Sequence, residues 1–527
     1  MSLSPPRPTS VVGVPLSALV GLLPESAEQP STDLGPAAGV QVTGASLRGH
    51  EVRPGDLFGA LPGARTHGAQ FAADAAASGA VAVLTDPVGA SLIADQGVAL
   101  PVLVTADPRS TLGLLSAAIY GYPSTRLTMI GVTGTSGKTT TCFLIEAALA
   151  AQGLRTGLIG TVMTRIGGGA GDPDAPAAEV IPSAFTTPEA PDLQALLAVM
   201  VERGVQAVTM EVSSHALALG RVGGTRFAVG AFTNLSQDHL DFHPDMDDYF
   251  AAKAKLFDGR SDAAVVVVDD EWGRRLAQEN PGALTVSTRP DVPASWQAAV
   301  VGSDPTGRQH LRLTGPAGQQ IRCDLAIPGS YNVANALTAI ACIDAAGLDA
   351  ELAARALEGV QVPGRMQRID VGQQFLAVID YAHKPAAIAA VLDAVRGSVP
   401  GRVIAVIGAG GDRDSGKRAL MGAAAVARAD LVIVTDDNPR SEDPGTIRAA
   451  VLRGAHDEGR DVEVREIGDR RAAIGTAVAA ARPGDAVVIA GKGHETGQEI
   501  NGVKHPFSDE AELTAALRRL PLPGGAQ

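Results

Sequence analysis

The chain has 527 residues, room for about three domains at ~150 residues each, and its 43 cationic against 57 anionic side chains give a net charge of −14 at pH 7. That balance excludes a general binder of nucleic acid or of anionic membranes, which needs a basic face. Apolar residues make up 45% but aromatics only 3%, so the cores have to be aliphatic, and three cysteines (Cys142, Cys323, Cys342) are too few for a disulfide framework or a CxxC metal site and fit a reducing compartment.

In chain order, the first apolar stretch is Val11 to Leu23, interrupted by Gly13, Pro15 and Gly21; a short buried helix is expected there rather than a signal peptide. No run reaches the ~18 apolar residues that cross a membrane, so a cytoplasmic chain is expected. Strands are predicted at Val81–Leu84, Val102–Val104, Leu127–Val132, Gln206–Val212, Phe227–Phe232 and Ala263–Val268, then at Phe375–Ile379, Val403–Ile407, Leu431–Val434 and Ala486–Ile489. Most lack apolar/polar alternation, as parallel strands covered on both faces do. The fold class is therefore α/β with more than one sheet. Residues 167 to 178, rich in Gly, Asp, Pro and Ala, read as an exposed loop. Breaks at Tyr122-Pro123-Ser124 and Val362-Pro363-Gly364-Arg365 divide the chain into three expected domains, 1–125, 126–362 and 363–527.

The polar motifs follow strands. Leu127–Val132 runs into Gly134-Thr135-Ser136-Gly137-Lys138-Thr139-Thr140, whose glycines let backbone N–H groups wrap a phosphate, whose Lys138 neutralises terminal phosphates, and whose Thr139 hydroxyl suits Mg²⁺. The first glycine of the common G-x-x-x-x-G-K-[ST] pattern would fall on Val132, so the loop is a variant. Glu211 closes the next strand, in Glu211-Val212-Ser213-Ser214-His215, and a carboxylate there completes a Mg²⁺ shell directly or through water. His215 and His239 read equally as satisfied structural histidines, although His239 sits in the dense Asp238-His239-Leu240-Asp241-Phe242-His243. Gly408–Asp414 is Gly-rich but not a dinucleotide fingerprint, since its sixth position is Arg413; it suits an anion-binding loop. Asp437-Asn438-Pro439-Arg440 reads either as a turn or as a loop whose Arg440 clamps a carboxylate. Open parallel sheets bind ligands at such strand ends.

Together these motifs resemble the Mur ligase family of ATP-dependent amide-bond-forming enzymes over nearly the whole chain. Gly-Thr-Ser-Gly-Lys-Thr-Thr is that family's own P-loop. Thr186-Thr187-Pro188, Glu211–His215, Asp238–Asp241, Asp380–His383, Asp437–Arg440 and Gly491–Glu495 look like its MurE branch. The resemblance implies an N-terminal nucleotide-sugar domain, a central P-loop ATPase domain with a parallel sheet, and a C-terminal Rossmann-like domain. It implies a cytoplasmic, monomeric ligase of peptidoglycan precursor synthesis that adds meso-2,6-diaminopimelate to UDP-N-acetylmuramoyl-L-Ala-D-Glu through an acyl phosphate. Lysine or ornithine is the alternative amino acid. A folylpolyglutamate synthetase-like ligase or a non-catalytic nucleotide-binding protein is a more distant alternative.

Carried onto this chain, the resemblance places the ATP phosphates on Gly134, Thr135, Ser136, Gly137, Lys138, Thr139 and Thr140, with Asn332, Asn335, Arg365 and Asp380 as further ATP contacts. Thr139 and Glu211 are implied ligands of one Mg²⁺. His239 is an implied ligand of a second, with Lys253 carbamylated by CO₂. For UDP-N-acetylmuramoyl-dipeptide, Ser46, Leu47 and the loop Ala64, Arg65, Thr66 match the uridine side, and Thr186, Thr187, Ser213 and Arg221 the muramoyl-dipeptide side. The common Asp-Ser-Arg is here Ser46-Leu47-Arg48. For diaminopimelate the matching residues are Arg413, Asp437, Asn438, Pro439, Arg440, Gly491 and Glu495. Lysine is rare, seven against 36 arginines, and five of the seven (Lys138, Lys253, Lys384, Lys417, Lys492) lie in motifs.

Overall fold

Unbroken Val/Ile/Leu runs separated by Ala-rich helical stretches build parallel sheets covered on both faces. The computed structural model describes residues 6–23, 35–63, 65–168, 178–183, 185–304 and 307–520. Ala64 and most of the expected 167–178 loop lie outside the described residues. The backbone divides into two compact units, one of Met1–Trp296 with Thr338–Ala353 and the other of Gln297–Leu337 with Ala354–Gln527.

In the first unit, the short buried helix expected within Val11–Leu23 is Leu16–Val20. Pro15, which cannot sit inside a helix, precedes it, and Gly21 ends it; Leu16 and Leu19 are its buried residues. Four parallel strands follow, Gly44–Ser46, Asp56–Gly59, Ala82–Thr85 and Val102–Val104, in that spatial order. Within this unit the strands of a larger sheet run in the order Glu179–Ile181, Thr164–Gly168, Thr156–Ile159, Ala207–Glu211, Thr128–Thr133, Phe227–Phe232, Ser261–Val267, Leu284–Ser287. The last six of these eight strands are parallel, and the P-loop strand Thr128–Thr133 lies between Ala207–Glu211 and Phe227–Phe232. Helix Ala190–Glu202 shows how a helix covers this sheet. Glu189 in extended backbone and Pro at its start open it, and Leu193, Leu196, Leu197 and Met200, spaced three and four apart, are all buried against Met129, Val208 and Met210. Truncating one such leucine to alanine costs ~2–5 kcal/mol. Arg48, in the first strand's end loop, reaches this helix through Asp192 at 2.9 Å and also pairs with Glu51.

The second unit holds an antiparallel meander, Gln309–Thr314 against Gln320–Leu325 and against the strand ending at Ser303, which is absent from the strands predicted from apolar runs. Its main sheet has the order Gln367–Arg368, Leu376–Asp380, Ala486–Ala490, Val403–Ala409, Leu431–Asp436, Glu463–Glu466, parallel apart from the first pair. Helices Lys417–Val426 and Pro444–Asp457 cross at backbone contact. A Cβ on Gly422 would lie 2.0 Å from the Val451 carbonyl oxygen, and one on Gly454 would lie 1.8 Å from that of Ala419.

Candidate active site

In the first unit, the sheet register places Glu211 opposite Val132 and Phe232 opposite Thr133, so the P-loop emerges between two other loop-bearing strand ends. Gly134 (φ 146°) and Gly137 (φ 87°) adopt backbone that L side chains avoid, and a Cβ on Gly134 would strike Thr233 Oγ1 at 2.0 Å. The loop ends at the N-terminus of helix Lys138–Ala151, an anion-favouring position. Lys138 Nζ folds back onto the carbonyl oxygens of Gly134 and Thr135, 2.9 Å each, and the Ser136 N–H donates to Asn234 Oδ1.

Glu211 is 2% exposed, and its carboxylate accepts from Thr139 Oγ1 (3.0 Å), Thr161 N (2.8 Å) and Thr161 Oγ1 (3.1 Å). A buried carboxylate beside a P-loop hydroxyl is an all-oxygen donor set of the kind Mg²⁺ takes. Thr186 and Thr187, expected on the muramoyl-dipeptide side, lie beside it. Thr186 Oγ1 lies 3.0 Å from Thr161 Oγ1, and Thr187 Oγ1 donates to the Glu211 carbonyl and accepts from the Ser213 N–H. Arg221 donates to the Thr187 carbonyl and pairs with Glu189 at 2.9 Å. Thr161 escaped sequence reading because its short strand, Thr-Gly-Leu-Ile, was not recognised.

Helix Met246–Ala254, capped by Asp245, buries Lys253 at 1% exposure, where its amine donates to the Gly134 carbonyl at 2.7 Å. Burial, with Lys138 nearby, pushes the Lys253 ammonium well below the usual lysine range. A neutral amine is the form that reacts with CO₂. Lys253 Nζ lies over the Tyr249 ring at 4.6 Å, and the His239 ring packs edge-on to the same ring at 6.1 Å. His239 has φ 53° and a half-exposed imidazole 3.5 Å from Asp238. Among the described residues no three His, Cys, Asp or Glu side chains form a metal-ready cluster. His215 stacks on Phe242 at 4.1 Å, and burial lowers its pKa; the neighbouring His243, which sequence reading gave no role, is buried between Ser214 Oγ (3.0 Å) and Asp248 Oδ2 (2.7 Å). Of the residues expected on the uridine side, Ser46 is 3% exposed and its Oγ accepts from the Arg48 N–H, Leu47 is half-buried, and Arg65 and Thr66 are exposed.

In the second unit, Asp380 and Gly491 follow adjacent strand ends, and Asp437 follows the strand beyond the next. Asp380 accepts from the N–H groups of Met366 and Ala382, 2.8 Å each; burial raises its pKa and Arg365 opposes that. Arg365 lies over the Tyr381 ring at 4.5 Å. Asn332 and Asn335, both buried, bond each other at 3.0 Å, and Asn332 Nδ2 also donates to the Pro328 carbonyl. The Gly-rich loop docks on the Asp-Asn-Pro-Arg loop. The Gly411 N–H donates to the Asn438 carbonyl, and a Cβ on Gly411 would lie 1.9 Å from the Pro439 carbonyl oxygen. Arg440, at φ 53°, donates to the Gly411 carbonyl and stands 3.4 Å from Glu499, while Arg413 is exposed. Asn438 Nδ2 donates to Glu495 Oε2 at 2.8 Å. Two cations under this loop lay outside the expected site, the fully buried Lys492 and Arg470. Lys492 had a signal, its rarity; Arg470 had none.

Three family models match in sequence: the Mur ligase family catalytic domain at residues 41–118, the Mur ligase middle domain at 132–343, and the Mur ligase glutamate ligase domain at 364–493. The chain is 54% identical over 479 residues to the UDP-N-acetylmuramoyl-L-alanyl-D-glutamate–2,6-diaminopimelate ligase of Corynebacterium glutamicum, covering 88% of this chain and 90% of that one. It is 50% identical over 523 residues to the protein of the same name from Streptomyces coelicolor, 98% of each. A solved structure of a ligase of that name matches with a TM-score of 0.67 at 33% identity, over 97% of this chain and 99% of the other.

Proposed function

This chain belongs to the Mur ligase family, and from that membership we propose that it joins 2,6-diaminopimelate to UDP-N-acetylmuramoyl-L-Ala-D-Glu at the expense of ATP, in peptidoglycan synthesis. The observation that carries the reading is the pair of strand-end sites. One is a P-loop with the buried Glu211 bonded to Thr139, and the other is an Asp-Asn-Pro-Arg loop bonded to Glu495. Among the described residues no helix is long and apolar enough to cross a membrane.

In the mechanism, the P-loop backbone and Lys138 hold the ATP phosphates, and Lys138 leaves its carbonyl partners for them. Arg365 and Asp380 are further contacts for the nucleotide. Arg221 and the Thr186–Thr187 backbone orient the D-Glu carboxylate, which attacks the γ-phosphorus; the bond to the ADP oxygen breaks and an acyl phosphate forms. The neutral α-amine of diaminopimelate then attacks the activated carbonyl, phosphate leaves, and the amine proton is lost to solvent. Thr139 and Glu211 would hold one Mg²⁺, and His239 with carbamylated Lys253 a second; bound there, these ions offset the charge that develops on the transferred phosphoryl group. Glu495, oriented by Asn438, holds the distal ammonium, and Arg440, giving up Glu499, pairs bidentately with the distal carboxylate that lysine and ornithine lack.

ADP-forming turnover with meso-diaminopimelate, L-lysine and L-ornithine tests the reading. Diaminopimelate is expected to be preferred by at least ~10²-fold in kcat/KM, the scale on which a site rejects a substrate lacking a group it is built to bind. A preference for lysine would refute the role given to Arg440.

A further inference from the structure

Lys492 is one of seven lysines in the chain, and its side chain is wholly buried. The glycines on either side have positive φ, 121° at Gly491 and 55° at Gly493, and a Cβ on Gly491 would press Asp437 Oδ2 at 2.6 Å. The loop is thus folded tightly enough to aim the lysine inward. Its ammonium donates to Asn438 Oδ1 at 3.0 Å and to Glu495 Oε2 at 3.1 Å, and stands 3.6 Å from Asp437 Oδ1. The nearest other buried cation, Arg470, is already neutralised by Asp509. A buried charge is retained only when it is matched. Here the match is to two carboxylates of the amino-acid pocket.

Resting on the function proposed above, we propose that Lys492 is a specificity-determining positioning residue of that pocket, favouring an amino acid whose distal end carries both an ammonium and a carboxylate over one whose distal end is an ammonium alone. Two effects combine. Lys492 and the Glu499 N–H both bond Asn438 Oδ1, which turns the amide so that Nδ2 reaches Glu495. Lys492 also cancels one of the two carboxylate charges of Asp437 and Glu495. A pocket with both charges uncompensated would attract the bare cation of lysine and repel a second carboxylate. With one cancelled, the zwitterionic end of diaminopimelate, which has no net charge, fits with Arg440 on its carboxylate. This is discrimination by an element set against the wrong substrate as well as for the right one.

Initial rates test it, for the wild type, Lys492→Met and Lys492→Gln, with ATP and the nucleotide-sugar substrate saturating, diaminopimelate or L-lysine varied, and melting midpoints recorded alongside. The ratio of kcat/KM for diaminopimelate to that for lysine is expected to fall at least ~10-fold in the variants while KM for ATP stays within ~2-fold. A smaller fall in the ratio, however large the common loss of activity, makes Lys492 merely structural and overturns the proposal. Should both variants fail to fold, the wild type supplies the reading. There 2-aminopimelate, which keeps the distal carboxylate and lacks the distal ammonium, is expected to compete with diaminopimelate more strongly than L-lysine does, and the reverse order overturns the proposal. A wild type that prefers lysine as substrate overturns the assigned amino acid instead, so the two failures are told apart.

Discussion

The Arg470–Asp509 pair is the most demanding electrostatic arrangement in the second unit, and its removal has a calculable cost. Both side chains are fully buried, joined by two bonds of 2.7 and 2.8 Å, and Arg470 Nη2 also donates to the carbonyl of Ala490, the last residue before Gly491. Asp509→Ala leaves a guanidinium with no solvent and its main partner gone, which costs ~3–5 kcal/mol. In a folding unit of ~150–250 residues each kcal/mol moves the midpoint by ~2–4 °C, so the unfolding of this unit is expected to fall by roughly 6–20 °C. Replacing both residues by leucine removes both charges and is expected to cost less than either Arg470→Leu or Asp509→Leu alone, a coupling of at least ~2 kcal/mol in the double-mutant cycle built on these leucine variants. Calorimetry of these proteins gives the midpoints. Because Ala490 leads into the Gly491–Glu495 loop, KM for the diamino acid rises in the single variants while KM for ATP holds. Additive single costs, or an Asp509→Ala loss below ~1 kcal/mol, refute the reasoning.

Two further outcomes follow from buried titratable groups. Lys253→Met is expected to lower turnover by ~10²-fold or more, and ¹³C-bicarbonate to give the wild type a carbamate resonance that the variant lacks; wild-type turnover indifferent to CO₂ removal would remove the carbamate from the mechanism. Burial, aided by Arg365, holds His494 down from 6.5 to about 4, so between those pH values the unfolded chain carries a proton there that the folded chain refuses. Stability therefore declines as pH falls through that window, by up to ~3 kcal/mol, and urea midpoints for His494→Phe are expected to show a flatter decline from pH 7 to 4.5 than the wild type.

The parallel strands that are continuous apolar runs ending in polar, Gly-rich loops were legible, with bounds shifted by only one or two residues, as at Thr128–Thr133 and Leu376–Asp380, whereas the short or polar ones, Gly44–Ser46, Asp56–Gly59, Thr156–Ile159, Leu284–Ser287 and Glu463–Glu466, were not. The P-loop, Glu211 and the Asp-Asn-Pro-Arg loop were legible for the same reason: strand ends place residues in space. The meander over Gln309–Leu325 was not, since its strands are no continuous apolar runs: buried Leu311, Leu313, Ile321 and Cys323 alternate with outward His310, Arg312 and Arg322, a two-residue period carried by few apolar side chains. Nor were Lys492 and Arg470. What makes them notable is burial, and burial of a charged residue is set by partners distant in sequence, Asn438 for one and Asp509 for the other.

The two glycines at which helices Lys417–Val426 and Pro444–Asp457 touch have a consequence beyond packing. One helix starts just after the Gly408–Asp414 loop and the other just after Asp437–Arg440, so the walls of the amino-acid pocket are the free ends of two levers with a common fulcrum at Gly422 and Gly454. A methyl added at either glycine cannot be housed unless the helices part, and that parting is expected to reach the loops at their N-termini without altering any residue in those loops. Bulkier amino acids are therefore within reach of changes made in the scaffold alone, and a selection for them would be expected to hit these glycines as readily as the binding loops.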